Sequence, residues 1–414
     1  MEGQAQVANG RRRLRLVTRL AALLAAVVLS LPILPWSWTA MLLPAASPYV
    51  AAGSALAARA VGAAALVGLP VLLAILIFPR WFCRYACPVG LLEETVSRRR
   101  RGATSVGRWP PVGQWVSLLT LGGAVAGYPL VLWLDPLGLL AGFLGVWRWP
   151  VSVAGIAVGL GLPIVLILSA VFPHAWCARV CPLGGLQDVL AGLRRLVRKP
   201  VAVAAAATPA VVQGADASEP KPAARGLARR SLLCLAAGGA LGWAARVSCG
   251  QARPPIRPPG AVDEPRFTGL CIRCGNCVRV CPSKIIRSDL GRHGAAGFLT
   301  PILCFEDSYC LPDCRECTTV CPSGAIARLP LPQKRACIIG QARVNLDTCI
   351  LANGQDCTAC IRACPYKAIG VLDSADGSSS RPVVDLRLCN GCGACEAACP
   401  TSPEKSILVY PPGT

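Results

Sequence analysis

The residue that could do chemistry here is cysteine. Twenty-four cysteines are spread over 414 residues, and most recur at fixed short spacings. Two runs have the form Cys-x-x-Cys-x-x-Cys-x-x-x-Cys-Pro: Cys271, Cys274, Cys277 and Cys281, then Cys389, Cys392, Cys395 and Cys399. Two shorter versions lie between them: Cys314, Cys317 and Cys321, then Cys357, Cys360 and Cys364, each triplet again ending before Pro. Cys304 and Cys310 stand upstream of the first short version and Cys349 upstream of the second. Two-residue gaps wrap a chain around one metal cube. The three-residue step before Pro carries the last thiolate to a neighbouring cube, which is the spacing of bacterial [4Fe–4S] ferredoxins. Zinc ribbons use separated Cys-x-x-Cys pairs and lack the cysteine before Pro. Small residues (Gly275, Gly391, Gly393, Ala394) let backbone N–H groups approach the sulfurs. Four clusters need sixteen thiolates, and eighteen cysteines follow residue 250. Cys337 and one of Cys304 and Cys310 are left over. The shorter loop costs less closure entropy, so Cys310 is the expected ligand. The spacing does not decide which motifs pair.

A different cysteine pattern occupies the first half. Cys83-x-x-x-Cys87-Pro88 recurs as Cys177-x-x-x-Cys181-Pro182, inside a longer repeat in which Phe78-Pro79 returns as Phe172-Pro173 at a constant offset of 94 residues. Residues at i and i+4 share a helix face, so four thiols from two repeats can converge. They would suit a further iron–sulfur cluster or other metal, two pairs cycling between dithiol and disulfide, or buried structural cysteine. His174, beside Cys177, is a candidate proton acceptor, or simply a histidine at the membrane edge.

These motifs need two unlike scaffolds. Residues 1–250 carry 24 Lys+Arg, 7 Asp+Glu and six cysteines, whereas residues 251–414 carry 18, 14 and eighteen. A greasy basic half joined to a polar cysteine-rich half excludes a single soluble enzyme, a nucleic-acid binder and a small disulfide-stapled toxin. Apolar stretches at 16–34, 60–78, 116–134 and 151–172 approach the roughly 20 helical residues that cross about 30 Å of hydrocarbon. Arginines crowd the N-terminal arm (Arg11, Arg12, Arg13, Arg15, Arg19), the second connector (Arg80, Arg84, Arg98, Arg99, Arg100, Arg101, Arg108) and the segment after the fourth stretch (Arg179, Arg194, Arg195, Arg198). The positive-inside rule assigns all three to the cytoplasm. Trp36, Trp38, Trp133, Trp147 and Trp149 then fall at the outer edge, and Trp81, Trp109, Trp115 and Trp176 at the inner one. Residues 201–228 read as an Ala/Pro-rich tether. Arg229-Arg230 ahead of a short apolar run resembles a twin-arginine export signal, the alternative being a buried helix preceded by two solvated arginines. With two histidines in the chain and no Cys-x-x-Cys-His, a bis-histidine membrane haem and covalent haem are excluded. Nucleotide-binding glycine motifs are absent as well.

The expected architecture is an α-helical membrane domain of four spans plus a fifth anchor, followed by an α+β ferredoxin-like domain with tandem [4Fe–4S] modules. Its divisions are a cytoplasmic arm (1–15), the membrane domain (16–200), the linker (201–228), the anchor (229–250) and the polyferredoxin (251–414). Residues 1–200, with both Cys-x-x-x-Cys-Pro motifs, resemble the NapH/MauN membrane ferredoxin-type proteins. Residues 225–414, and Arg257-Pro258-Pro259-Gly260-Ala261 leading to Phe267 and Cys271 in particular, resemble the NapG/MauM ferredoxins. The membrane family usually carries two more ferredoxin motifs after its fourth span, and here Cys181 is followed by none before the linker. In the ferredoxin family the export signal is N-terminal; here it is internal. The resemblance implies a bacterial inner-membrane unit that oxidises quinol and passes electrons outward to a periplasmic partner such as a c-type cytochrome or reductase. Its rivals are a redox maturation factor for a partner enzyme, and a ferredoxin fed by a soluble cytoplasmic donor.

Overall fold

The computed structural model of the protein describes residues 2–30, 37–97, 109–146, 153–197, 224–251, 254–373 and 380–412. The end of the first apolar stretch, Trp36, Arg98, Arg99, Arg100, Arg101, Arg108, Trp147, Trp149, Arg198 and linker residues 201–223 lie outside these.

The first half is helical: α1 (Glu2–Ser30), α2 (Thr39–Ala45), α3 (Pro48–Ala58), α4 (Ala63–Ile77), α5 (Trp81–Tyr85), α6 (Pro88–Ser97), α7 (Val112–Val125), α8 (Pro136–Val146), α9 (Val153–Gly159), α10 (Gly161–Val171), α11 (Pro182–Val197) and α12 (Ala224–Gln251). Its helices are mostly shorter than the apolar stretches led one to expect. The fifteen residues of α4 rise about 22 Å, less than the ~30 Å of hydrocarbon. Residues 116–134 are not one span: α7 stops at Val125, Gly127 turns with φ +86°, and a single 3-10 turn at Leu132–Leu134 leads into α8. A glycine in the left-handed region closes a helix without a Cβ penalty. Among the described residues two helical segments are long and apolar enough to cross a membrane, Val153–Val171 and Arg229–Cys249.

A third such segment would be α2 with α3, bent by 91°. The bend sits at Ser47, whose hydroxyl accepts from Val50 N (3.5 Å) to cap α3, with Pro48 following at the first helical position. These residues lie between the first two apolar stretches of the sequence, yet Tyr49 and Val50 are fully buried. Two short helices, α3 and α8, thus turn inward from one end of the bundle. They meet where Ser47 Oγ donates to the buried Asp135 carboxylate (2.5 Å), which also accepts from Gly138 N (2.8 Å). Tyr49 closes the layer by donating to Thr120 Oγ1 (2.8 Å).

Helix α12 lies along α7 through bare backbone. A Cβ on Gly238 would come within 2.1 Å of Leu119 O, and one on Gly122 within 2.1 Å of Leu235 O. A Cβ on Gly242 would come within 2.7 Å of Gly123 Cα. Gly238 and Gly242 form a small-xxx-small stripe, the packing device of membrane helices. Elsewhere α12 turns Leu232, Leu233, Leu241 and Trp243 outward.

The second half holds α13 (Glu264–Leu270), α14 (Asn276–Val280), β1 (Ile286–Ser288), β2 (Pro301–Leu303), α15 (Glu316–Thr319), α16 (Leu331–Ala336), β3 (Gln341–Val344), α17 (Ala359–Ala363), β4 (Ile369–Asp373), β5 (Ser380–Val384), α18 (Ala394–Ala398) and β6 (Ile407–Tyr410). One pairing scheme occurs twice. In residues 340–410, β3 pairs with β6 and β4 with β5, all antiparallel. In the preceding stretch an antiparallel bridge joins Ala261 to Ile326, and β1 pairs with β2 inside it. Helix α13 seats the first unit on the helical half: Phe267 and Leu270 are buried with Ala57 of α3 and Ala124 of α7.

Replacing Gly238 by Leu should force α12 off α7 and cost about 1–3 kcal/mol. Gly239, whose Cβ would meet nothing nearer than 3.8 Å, is the control. A thermal melt in detergent should drop for Gly238→Leu and stay near the unmodified value for Gly239→Leu.

Candidate functional site

The cysteines of the second half gather into four cavities. The first, about 420 Å³, is lined by Cys271, Cys274, Cys277 and Cys321. The second, about 330 Å³, holds Cys281, Cys310, Cys314 and Cys317. Cys364, Cys389, Cys392 and Cys395 line a third of about 300 Å³. Cys349, Cys357, Cys360 and Cys399 line a fourth of about 320 Å³. Each cavity therefore takes three thiols from one motif and the Cys-Pro thiol of its partner. The motifs pair first with second and third with fourth, which the spacing had left open. Cys310 lies in a cavity. Cys304 instead lies among Arg287, Arg292, Glu306 and Glu396, and Cys337 lines none of the four.

Local geometry suits sulfur-bound iron. Ile326 N donates to Cys321 Sγ (3.4 Å) and Ala368 N to Cys364 Sγ (3.3 Å); such N–H···S bonds favour the reduced form of a cluster. Burial pushes the Cys274 thiol up to about 12, and burial followed by the neighbouring thiols pushes Cys277 well above the ordinary range. Four thiolates crowded in a dry cavity repel one another unless a cationic core holds them. Among the described residues no three His, Cys, Asp or Glu close on a single-ion position. A cubane spreads its ligands over four corners and asks for wider spacing. Gly391 and Gly393, beside the third cavity, are also constrained by packing. Both have positive φ (+74° and +85°), and a Cβ would strike the Gly340 backbone at 2.3 Å or the Phe305 ring at 2.2 Å. Their smallness is needed as much for packing as for approach to sulfur.

The cavities form a series. Crossing thiols link first to second and third to fourth, and Cys310 N donates to Cys392 O (2.9 Å) between second and third. The first is docked on the helical half. Ile272 and Cys274 belong to its core, together with Leu137 and Leu140 of α8. Arg273 lies over the Trp133 ring (5.2 Å), and Asn276 Nδ2 donates to Ala40 O (2.9 Å). Ser37 donates to Glu316 beside them.

The four remaining motif cysteines also converge. Cys177 is within electrostatic range of Cys181, Cys87 and Cys83, and Cys87 and Cys181 share one buried core. The 94-residue repeat is realised as a pair of reciprocal contacts. Gln187 Nε2 donates to Cys83 Sγ (3.0 Å), and Cys177 is hydrogen-bonded to Glu93, the residue 94 positions before Gln187. Arg80 and His174, also 94 apart, both have positive φ at the start of the motif. Neither Glu93 nor Gln187 was picked out from the sequence, although the offset that revealed the cysteines identifies them too. His174, itself largely exposed, stands 3.8 Å from buried Glu93. Glu93 Oε1, Gln187 Oε1 and Trp176 Nε1 are buried without a hydrogen-bond partner, so a polar or charged group fits among these thiols. Arg19 pairs with Glu94 and donates to Cys83 O (2.8 Å), and Arg80 pairs with Asp188, so this end collects the arginines. Asp135 lies within electrostatic range of Cys87 and Cys181, and the neighbouring Gly138 faces Ile272. The inward-turned layer thus lies between the four thiols and the first cavity.

Comparison with known proteins agrees with both cysteine patterns. Residues 270–325 and 340–402 match a 4Fe-4S dicluster domain family, and residues 60–106 and 154–200 match a 4Fe-4S binding domain family. The chain is 36% identical over 166 residues to the methylamine utilization ferredoxin-type protein MauM of Methylophilus methylotrophus, covering 38% of this chain and 70% of that one. It is 34% identical over 166 residues to the ferredoxin-type protein NapG of Escherichia coli, with the same coverages. To the NapF ferredoxin-type protein of Escherichia coli it is 31% identical over 147 residues, 36% of this chain and 81% of the other. No solved structure matches it.

Removing a cavity thiol should remove one cluster's iron. Anaerobic iron analysis of Cys310→Ser is expected to fall by about four atoms per chain, one cubane, while Cys304→Ser keeps the full content. The reverse result would transfer the ligand role to Cys304.

Proposed function

Because the chain belongs to the MauM/NapG family of ferredoxin-type proteins, we propose that it carries electrons from quinol, through its helical half and its four thiol-lined cavities, to a redox partner outside the bacterial inner membrane. The observation that carries this reading is the series of cavities, one end of which is built into the core of the helical half. When bound, [4Fe–4S] clusters supply one-electron carriers; quinol releases two electrons and two protons, so successive centres divide the pair. The chain's own residues hold the thiols together in four cavities, donate N–H to sulfur, and keep the first cavity fixed against α8.

In this reading the helical half takes the part of a NapH/MauN-type unit. Cys83, Cys87, Cys177 and Cys181 form its redox centre, with Glu93 and His174 beside Cys177 as a route for protons toward the exposed edge. The arginine-rich end of the bundle faces the cytoplasm. The ferredoxin half docks on Ser37, Ala40, Ala57, Ala124 and residues 128–145, away from those arginines, which supports a periplasmic position for it. Helix α12 stays as the membrane anchor.

Adding reduced quinone to anaerobic membranes that hold the protein should bleach the iron–sulfur absorbance, faster than in a Cys83→Ala/Cys177→Ala control. Centres that stay oxidised with quinol yet reduce with dithionite would favour a maturation role or a soluble donor. Cys392→Ala, at the contact between second and third cavities, should abolish reduction of an external acceptor; an unchanged rate contradicts the series.

A further inference from the structure

Helix α16 connects the two ferredoxin units, and its Lys334 is only 2% exposed. Its ammonium donates to Leu311 O and to Pro312 O (3.2 Å), the two carbonyls that follow Cys310 in the loop to Cys314. It also lies within hydrogen-bonding reach of the Cys310 side chain and within electrostatic range of Cys317. Two thiols of the second cavity therefore face one buried cation, beside the Cys310–Cys392 contact that leads to the third. The next residue grips the same loop from outside: Arg335 pairs with Asp313 at 2.5 Å, with side chains 58% and 71% exposed. Water and salt screen that exposed pair, whereas a cation removed from solvent keeps its field.

We propose that Lys334 is a positioning residue that raises the reduction potential of the centre held by Cys281, Cys310, Cys314 and Cys317. This rests on the reading that the cavity holds a [4Fe–4S] cluster. Reduction adds one electron to a centre already made anionic by four thiolates, and a fixed ammonium in a dry site stabilises the added charge. No bond is made or broken, and no proton moves. The second centre becomes the resting place for an electron before it crosses between the two units.

The test is a potentiometric titration of the full chain, purified anaerobically and followed by electron paramagnetic resonance, with iron content measured on every sample. Lys334→Gln keeps a donor for the two carbonyls and removes the charge. One of the signals should then become at least tenfold harder to reduce, about 59 mV for one electron, with iron content unchanged. Lys334→Arg should restore it, and Arg335→Gln should leave every potential where it was. Unshifted potentials in iron-replete Lys334→Gln overturn the proposal. So does loss of one cluster's iron from Lys334→Gln, which would make the residue a structural brace. Failure of the cluster reading itself is separate, since it would appear as missing iron in the unmodified chain.

Discussion

Everything in the cysteine-rich half follows from the crossing of four thiols. Cys281 and Cys321 exchange cavities, as do Cys364 and Cys399. No motif can complete its own cavity, so two motifs must fold as one unit before either holds four thiols. The antiparallel pairing of first strand with last, around an inner hairpin, brings the two Cys-Pro corners past each other. With strands only three to five residues long, hydrogen-bonded ladders alone would be a weak frame. The buried apolar side chains between them, Ile286, Leu303, Phe305, Ile369 and Ile407 among them, share the holding of the frame.

The helical half solves a different problem with the same economy of repeats. Two copies of one motif place a glutamate and a glutamine at equivalent positions, each reaching across to the first cysteine of the other copy. The near-symmetry brings four thiols together from helices that are far apart in sequence. The two copies differ in charge at this position: Glu93 brings a carboxyl group to Cys177, where Gln187 brings a neutral amide to Cys83. Above it, the Ser47–Asp135 contact fills the space that straight spans would have left between these thiols and the ferredoxin half.

What the sequence could reveal was set by how local each signal was. The sixteen cavity thiols were legible because two- and three-residue gaps are properties of the chain alone. The pairing of motifs was not, since either partner satisfies the same spacing. Loop length favoured Cys310, which lines the second cavity, whereas Cys304 sits among Arg287 and Glu306, neighbours that no spacing reveals. Hydropathy read residues 116–134 as one span because it does not register the turn at Gly127. It missed the inward-turned α3 because an apolar connector and a buried one look alike in composition. Gly391 and Gly393 were recognised as small for a reason that proved incomplete, because the Phe305 ring and the Gly340 backbone that crowd them lie far away in sequence.

The bare-backbone contact between α7 and α12 has a further consequence, which concerns rotational phase. Successive residues of a helix advance by about 100°, and only the face carrying Gly238 and Gly242 fits against Gly122 and Gly123. Because α12 leads through a short segment into α13, which is itself packed on α3 and α7, the helix is clamped at both ends of its path. Adding or deleting one residue inside α12 after these glycines would leave its composition almost unaltered, yet rotate its C-terminal end relative to the seat of α13. The phase of this helix, rather than its greasiness, is therefore what sets how the attached domain is presented.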